Sequence, residues 1–136
     1  MTNYVTLLNN NDLKATFQRI NILDVIDKHG HMSVDDIYDE VIKVHPSISL
    51  ATIYKNIILM MDKGVLTEVP IAERKSKYEL TKTDHIHLIC TNCGEVIDKE
   101  CRDTTNSVLS ELTHKENFLL NKRQINLYGT CSSCKK

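Results

Sequence analysis

Apolar positions in the first half of the chain recur at helical spacing. Phe17, Ile20, Leu23 and Ile26 share one side of a helix over Thr16 to Lys28, with Gly30 as its stop. Val34, Ile37, Tyr38, Val41 and Ile42 form a second helical stripe. Ser33 is placed to cap it, with Asp36 at the capping-box position. Pro46 then pushes His45 out of helical backbone. Ser49 opens a third helix that runs to about Lys63, and Gly64 ends it. In this helix Leu50, Tyr54, Ile57, Ile58 and Met61 are expected to face inward, and Thr52, Lys55 and Asn56 to share the opposite face. Two strand-like runs follow, Val65–Val69 and Lys77–Leu80, and the polar link Glu73-Arg74-Lys75-Ser76 between them predicts a hairpin.

Three short helices and a hairpin match the winged-helix variant of helix-turn-helix, whose third helix would enter a DNA groove. The same pattern also suits a plain scaffold. The second half changes character. His87–Thr91, Glu95–Asp98 and Phe118–Tyr128 read as strands, and Asp103 to His114 as a helix carrying Val108, Leu109 and Leu112. Lys82-Thr83-Asp84 is the expected linker.

Composition narrows the class. The 136 residues are 41% hydrophobic and 26% charged, which is globular rather than disordered. The longest apolar run, Ile57 to Met61, is far short of the ~20 residues a membrane helix needs. No basic-then-apolar segment opens the chain, so it reads as cytoplasmic, without a membrane partner. Net charge is −1, and charge alone does not point to nucleic acid.

The five cysteines therefore need a cytosolic explanation. Cys90-x-x-Cys93 and Cys131-x-x-Cys134 are matched two-thiolate claws, the arrangement that closes a tetrahedral zinc site. A thioredoxin-like redox pair and two disulfides are the alternatives. A redox pair should open a helix, whereas Gly94 to Asp98 reads as a strand. Cys101 is left over as an ordinary thiol. If residues 85–89 form a strand, His85 and His87 point to one face, and with Asp98 they make a mixed set suited to a divalent transition metal. Two surface histidines are the plainer alternative. No nucleophile–base pair, phosphate loop or dinucleotide fingerprint is present, so an enzyme has little to stand on; a thiol oxidoreductase using the Cys pairs is the alternative of a different class.

Several motifs occur together. They are Leu13-Lys14-Ala15-Thr16-Phe17-Gln18-Arg19, His31-Met32-Ser33-Val34-Asp35-Asp36-Ile37-Tyr38 and Ser49-Leu50-Ala51-Thr52-Ile53-Tyr54. Asp84-His85-Ile86-His87-Leu88-Ile89-Cys90-x-x-Cys93-Gly94 and Leu127-Tyr128-Gly129-x-Cys131-x-x-Cys134 follow. Jointly they resemble the ferric uptake regulator (Fur) family of metal-dependent bacterial repressors, over essentially the whole chain. The resemblance implies an α+β homodimer. Residues 1–81 would be a winged-helix DNA-binding domain and residues 82–136 an α/β dimerisation and metal-binding domain, with a hinge at about 80–85. It implies structural zinc on Cys90, Cys93, Cys131 and Cys134. By motif position a regulatory Fe(II) or Mn(II) would sit on His31, Glu79, His85, His87 and Asp98.

Within the family, Asn56, Asp98, Ile86 and Thr130 are most like the peroxide-responsive (PerR) branch. In that branch bound Fe(II) reacts with hydrogen peroxide and oxidises a ligand histidine, by position His31 or His85. Glu79 cuts the other way, because peroxide sensors typically carry aspartate there. The same-family alternative is an iron- or zinc-responsive uptake repressor. Operator DNA would be met by Thr52, Tyr54, Lys55 and Asn56, with Lys14 and Arg19 on phosphates.

Overall fold

The computed structural model describes residues 3–71, 73–82, 85–121 and 123–135. The chain divides into two compact units, Met1–Thr81 and Lys82–Lys136. Thr83 and Asp84 of the expected linker lie outside the described residues.

The first unit runs α1 (Tyr4–Asn10), α2 (Phe17–His29), β1 (Met32–Ser33), α3 (Val34–Val41), α4 (Leu50–Asp62), β2 (Leu66–Val69) and β3 (Lys77–Leu80). Three helices start on a hydroxyl cap. Thr16 accepts from the Arg19 backbone N–H, Ser33 from that of Asp36 and Ser49 from that of Thr52. Gly30 closes α2 at φ 84°, a left-handed conformation that favours glycine. The β2–β3 hairpin forms as expected, and with it the winged-helix architecture.

Two elements escape the periodicity. Helix α1 is only seven residues long, too short for a clear stripe. It is held by Leu8, fully buried, and by the Tyr4 hydroxyl, which donates to Asp27 at 2.8 Å. Strand β1 is two residues long, and it adds to the hairpin to give a sheet in the order β1-β3-β2.

Helix α4 turns a different side to the core than its spacing suggests. Ile53, Ile57 and Met60 are fully buried, whereas Leu50, Tyr54 and Ile58 are 43–47% exposed. The helix is apolar on several sides, so more than one stripe fits a 3.6-residue period. Phe17, at the first turn of α2, is likewise exposed rather than packed. Ile53→Ala is therefore expected to lower unfolding free energy by about 2–5 kcal/mol. Ile58→Ala should cost under about 1 kcal/mol. Urea denaturation of the two variants checks the assignment, and equal costs would contradict it.

The second unit runs β4 (His85–Cys90), β5 (Val96–Glu100), α5 (Asp103–Lys115) and β6 (Ile125–Gly129). Its sheet has the order β5-β4-β6, with β4 antiparallel to β5 and parallel to β6. The expected long strand from Phe118 is limited to Ile125–Gly129: Phe118 and Leu119 are outside any strand and exposed, and Lys122 lies outside the described residues. Its apolar run is not matched by a pairing partner for those residues. Helix α5 has no buried residue at all. Among the described residues, Ile89 and Cys90 are the buried hydrophobics of this unit.

Candidate functional site

The four claw cysteines converge. Strand β4 ends on Cys90, and Gly94 at φ 80° turns the chain back into β5, so that Cys90 and Cys93 face the same point. Parallel pairing of β4 with β6 aligns Cys90 with Gly129, two residues before Cys131. One sulfur from each of Cys90, Cys93, Cys131 and Cys134 lies within 4.8 Å of the others. The Cys93 and Cys131 sulfurs are 3.7 Å apart. That is far beyond a disulfide's ~2.0 Å, and it matches the edge of a zinc–sulfur tetrahedron, about 3.8 Å for bonds of about 2.3 Å.

The electrostatics of the cluster agree. Backbone N–H groups of Cys93 and Cys131 hold the Cys90 thiol down to about 6, favouring its thiolate. Cys131 is pushed up to about 12: the Cys134 backbone N–H favours its thiolate, but the crowd of neighbouring thiols and desolvation outweigh it. Four sulfurs this close cannot all carry charge without a cation among them, and a dication of zinc's size relieves that conflict. Cys101 is not in the cluster.

A second donor set is built in each unit separately. In the first, β1 pairs with β3 through Met32↔Tyr78 and Ser33↔Lys77. The same register carried one step further sets His31 opposite Glu79. Their Nε2 and Oε2 are 2.8 Å apart, and Glu79 is only 1% exposed. The short strand β1, invisible in the hydropathy pattern, is what brings these residues together.

In the second unit, His85 and His87 stand on one face of β4, two residues apart. His87 is paired with Asp98 across β5 and with Asn126 across β6. The Nε2 atoms of His85 and His87 are 2.8 Å apart, and each is 3.5 Å from Asp98 Oδ1. Two nitrogens bound cis to one ion at about 2.1 Å would stand about 3 Å apart, so the donor set fits a divalent metal. Lys82 places its ammonium 2.8 Å from Asp98 Oδ2.

Asn126 is a participant that sequence reasoning missed. Its Oδ1 lies 2.9 Å from His87 Nδ1, so that nitrogen donates its hydrogen and leaves the Nε2 lone pair for a ligand. The only signal for it was its register opposite His87.

On α4 the candidate DNA residues divide. Tyr54 and Lys55 are exposed, and Thr52 and Asn56 are half-buried. Tyr54 therefore faces out of the core, not into it. Lys14 is exposed and Arg19 half-buried.

Comparison with known proteins decides the family. The ferric uptake regulator family model matches residues 10–128. The chain belongs to the ferric uptake regulator family. It is 36% identical over 132 residues to the ferric uptake regulation protein of Bordetella parapertussis, covering 95% of this chain and 94% of that one. It is 32% identical over 131 residues to the peroxide-responsive repressor PerR of Staphylococcus saprophyticus, covering 96% and 88%. Its fold superimposes on the peroxide stress regulator of Campylobacter jejuni with a TM-score of 0.80 at 32% identity, covering 98% of this chain and all of that one. A Fur-family protein of this architecture is a metal-responsive transcriptional regulator, with a winged-helix domain followed by an α/β dimerisation domain, and not an enzyme.

Proposed function

We propose that this chain is an Fe(II)- or Mn(II)-dependent homodimeric repressor that leaves operator DNA in response to hydrogen peroxide. One observation carries the metal dependence. Among the described residues, the buried polar or charged side chains are Glu79 and His87, and each is set beside further metal-ligating groups. Burying such groups is costly unless something of opposite character meets them. In this reading His31, Glu79, His85, His87 and Asp98 hold one regulatory ion, while Cys90, Cys93, Cys131 and Cys134 hold structural zinc.

Ligands drawn from both units make metal binding and unit orientation one equilibrium. In a dimer that orientation sets the spacing of two recognition helices against two half-sites. The ion promotes DNA binding only by the difference in its affinity for the two states. Fe(II), when bound, would give an electron to peroxide and so split its O–O bond; one oxygen would enter a neighbouring ligand ring and the other would leave as water. His31 and His85 are the rings assigned to that role, and an oxidised imidazole is a poorer donor.

The dimer is supported by the surface of the second unit. Val108 and Leu112 on α5, with Phe118 and Leu119 after it, are 60–81% exposed. An uncovered apolar surface of this kind suits an interface between copies. Operator DNA would meet Tyr54 and Lys55, both exposed on α4, with Thr52 and Asn56 beside them and Lys14 and Arg19 on phosphates. Such a regulator works in the cytoplasm, and no helix among the described residues is long and apolar enough to cross a membrane.

A second reading, an iron- or zinc-responsive uptake repressor, is favoured by Glu79 and by the likeness to the Bordetella protein. One experiment separates the two. Anaerobic protein is loaded with Fe(II) or with Mn(II), and DNA binding is measured before and after a small dose of hydrogen peroxide. Peptide mass spectrometry follows. Loss of DNA by the Fe(II) form alone, with one oxygen gained on the His31 or His85 peptide, supports the peroxide sensor. Retention of DNA by both forms, with no oxidised histidine, assigns the protein to metal uptake.

A further inference from the structure

Asn56 is the α4 residue that most resembles the peroxide branch, and its amide is already engaged within the first unit. Its Nδ2 donates to the Thr52 carbonyl at 3.0 Å, one helical turn back. Its Oδ1 accepts from Arg19 Nε at 3.1 Å, across from α2. Both partners demand the same amide orientation, with oxygen toward the guanidinium and nitrogen toward the carbonyl, so the side chain is fixed at both ends.

Arg19 is gripped from other directions as well. Its Nη1 donates to the Lys14 carbonyl at 2.9 Å, and its backbone N–H is bound by the Thr16 hydroxyl that caps α2. Its Nη2 has no partner among the described residues. A free arginine loses much side-chain entropy when it meets a phosphate, and a planar fork held in place loses less.

We infer that Asn56 is a positioning residue for Arg19 rather than a reader of bases. It holds the guanidinium against the middle of the recognition helix, so that the outer edge of the fork is presented to a DNA phosphate. Base reading is then left to the exposed Tyr54 and Lys55. This inference rests on the DNA-binding reading above, and it reassigns how Asn56 contributes.

The test is a double-mutant cycle on Mn(II)-loaded dimer. The probe is a duplex selected by the wild-type protein from a random-sequence pool, with a panel of single-base variants of that duplex. Asn56→Ala is expected to weaken binding roughly tenfold, the cost of freeing a charged partner. The factor should be equal across the panel. Arg19→Ala should weaken binding at least as much and lower the salt slope by about 1. In the Arg19→Ala background, Asn56→Ala should change affinity less than about twofold. A tenfold loss that persists without Arg19, a loss confined to one base position, or no loss in either background would each overturn the inference.

A second measurement needs no variant and no DNA. Hydrogen exchange at Arg19 Nε–H, followed by 15N NMR in the wild-type protein, should be slow beside that of exposed arginines. Exchange as fast as theirs removes the clamp. If wild-type protein enriches no duplex from the pool, the DNA reading fails instead, and the exchange rate alone judges the Arg19–Asn56 pair.

Discussion

Serine in place of Cys131 is expected to unfold the second unit. That unit has a thin core: among its described residues only Ile89 and Cys90 are buried hydrophobics, and α5 buries none. Burial at about 25 cal/mol per Å² cannot offset the chain entropy of so many residues from so little apolar area. Structural zinc can, since its apparent contribution in small zinc domains is about 10–16 kcal/mol. Cys131 also fastens the end of β6 to the β4–β5 turn, where the Cys131 N–H meets the Cys90 sulfur at 3.4 Å. Zinc content should fall from one per chain toward none, and far-UV circular dichroism should show loss of the second unit's transition. Cys101→Ser should retain zinc and melt as the wild type does, because Cys101 stands outside the cluster. A Cys131→Ser protein with full zinc and an unchanged melt would falsify the structural site.

The second large effect is expected at His87. It is 1% exposed and faces Asp98 on one neighbouring strand and Asn126 on the other. His87→Ala should remove detectable Mn(II) binding, read by electron paramagnetic resonance titration. Metal-dependent DNA binding should disappear with it, while the zinc remains. Asn126→Ala keeps the ligand but releases its ring. It should cost roughly 10–100-fold in Mn(II) affinity, the usual effect of removing a partner that orients a metal-binding imidazole. An Asn126→Ala protein with wild-type affinity would show that strand packing alone orients His87.

The cysteine claws were legible because their chemistry is local: each pair spans four residues, and matched pairs admit few alternatives. His85 and His87 were legible as a pair for the same reason, since alternation along a strand needs no partner. Asn126 was not. Nothing in its own neighbourhood distinguishes it, and its role exists only once β6 lies parallel to β4 in one register. His31 became a candidate by resemblance alone. What joins it to Glu79 is a strand of two residues, shorter than any period can reveal. The buried face of α4 was misplaced because that helix has apolar residues to spare, and a surplus makes the stripe ambiguous.

The sequence by itself determined the starts of α2, α3 and α4, the glycine that ends α2, the hairpin, the four-thiol set and the family. Each depends on contacts between residues close along the chain, or on motifs whose spacing is their meaning. The tertiary structure decided which side of α4 is left exposed, which carboxylate each histidine meets, and that Asn56 accepts a hydrogen bond from Arg19. Those outcomes depend on strand register and helix packing, where one residue's shift exchanges every neighbour. Local propensity carries no information about such a shift.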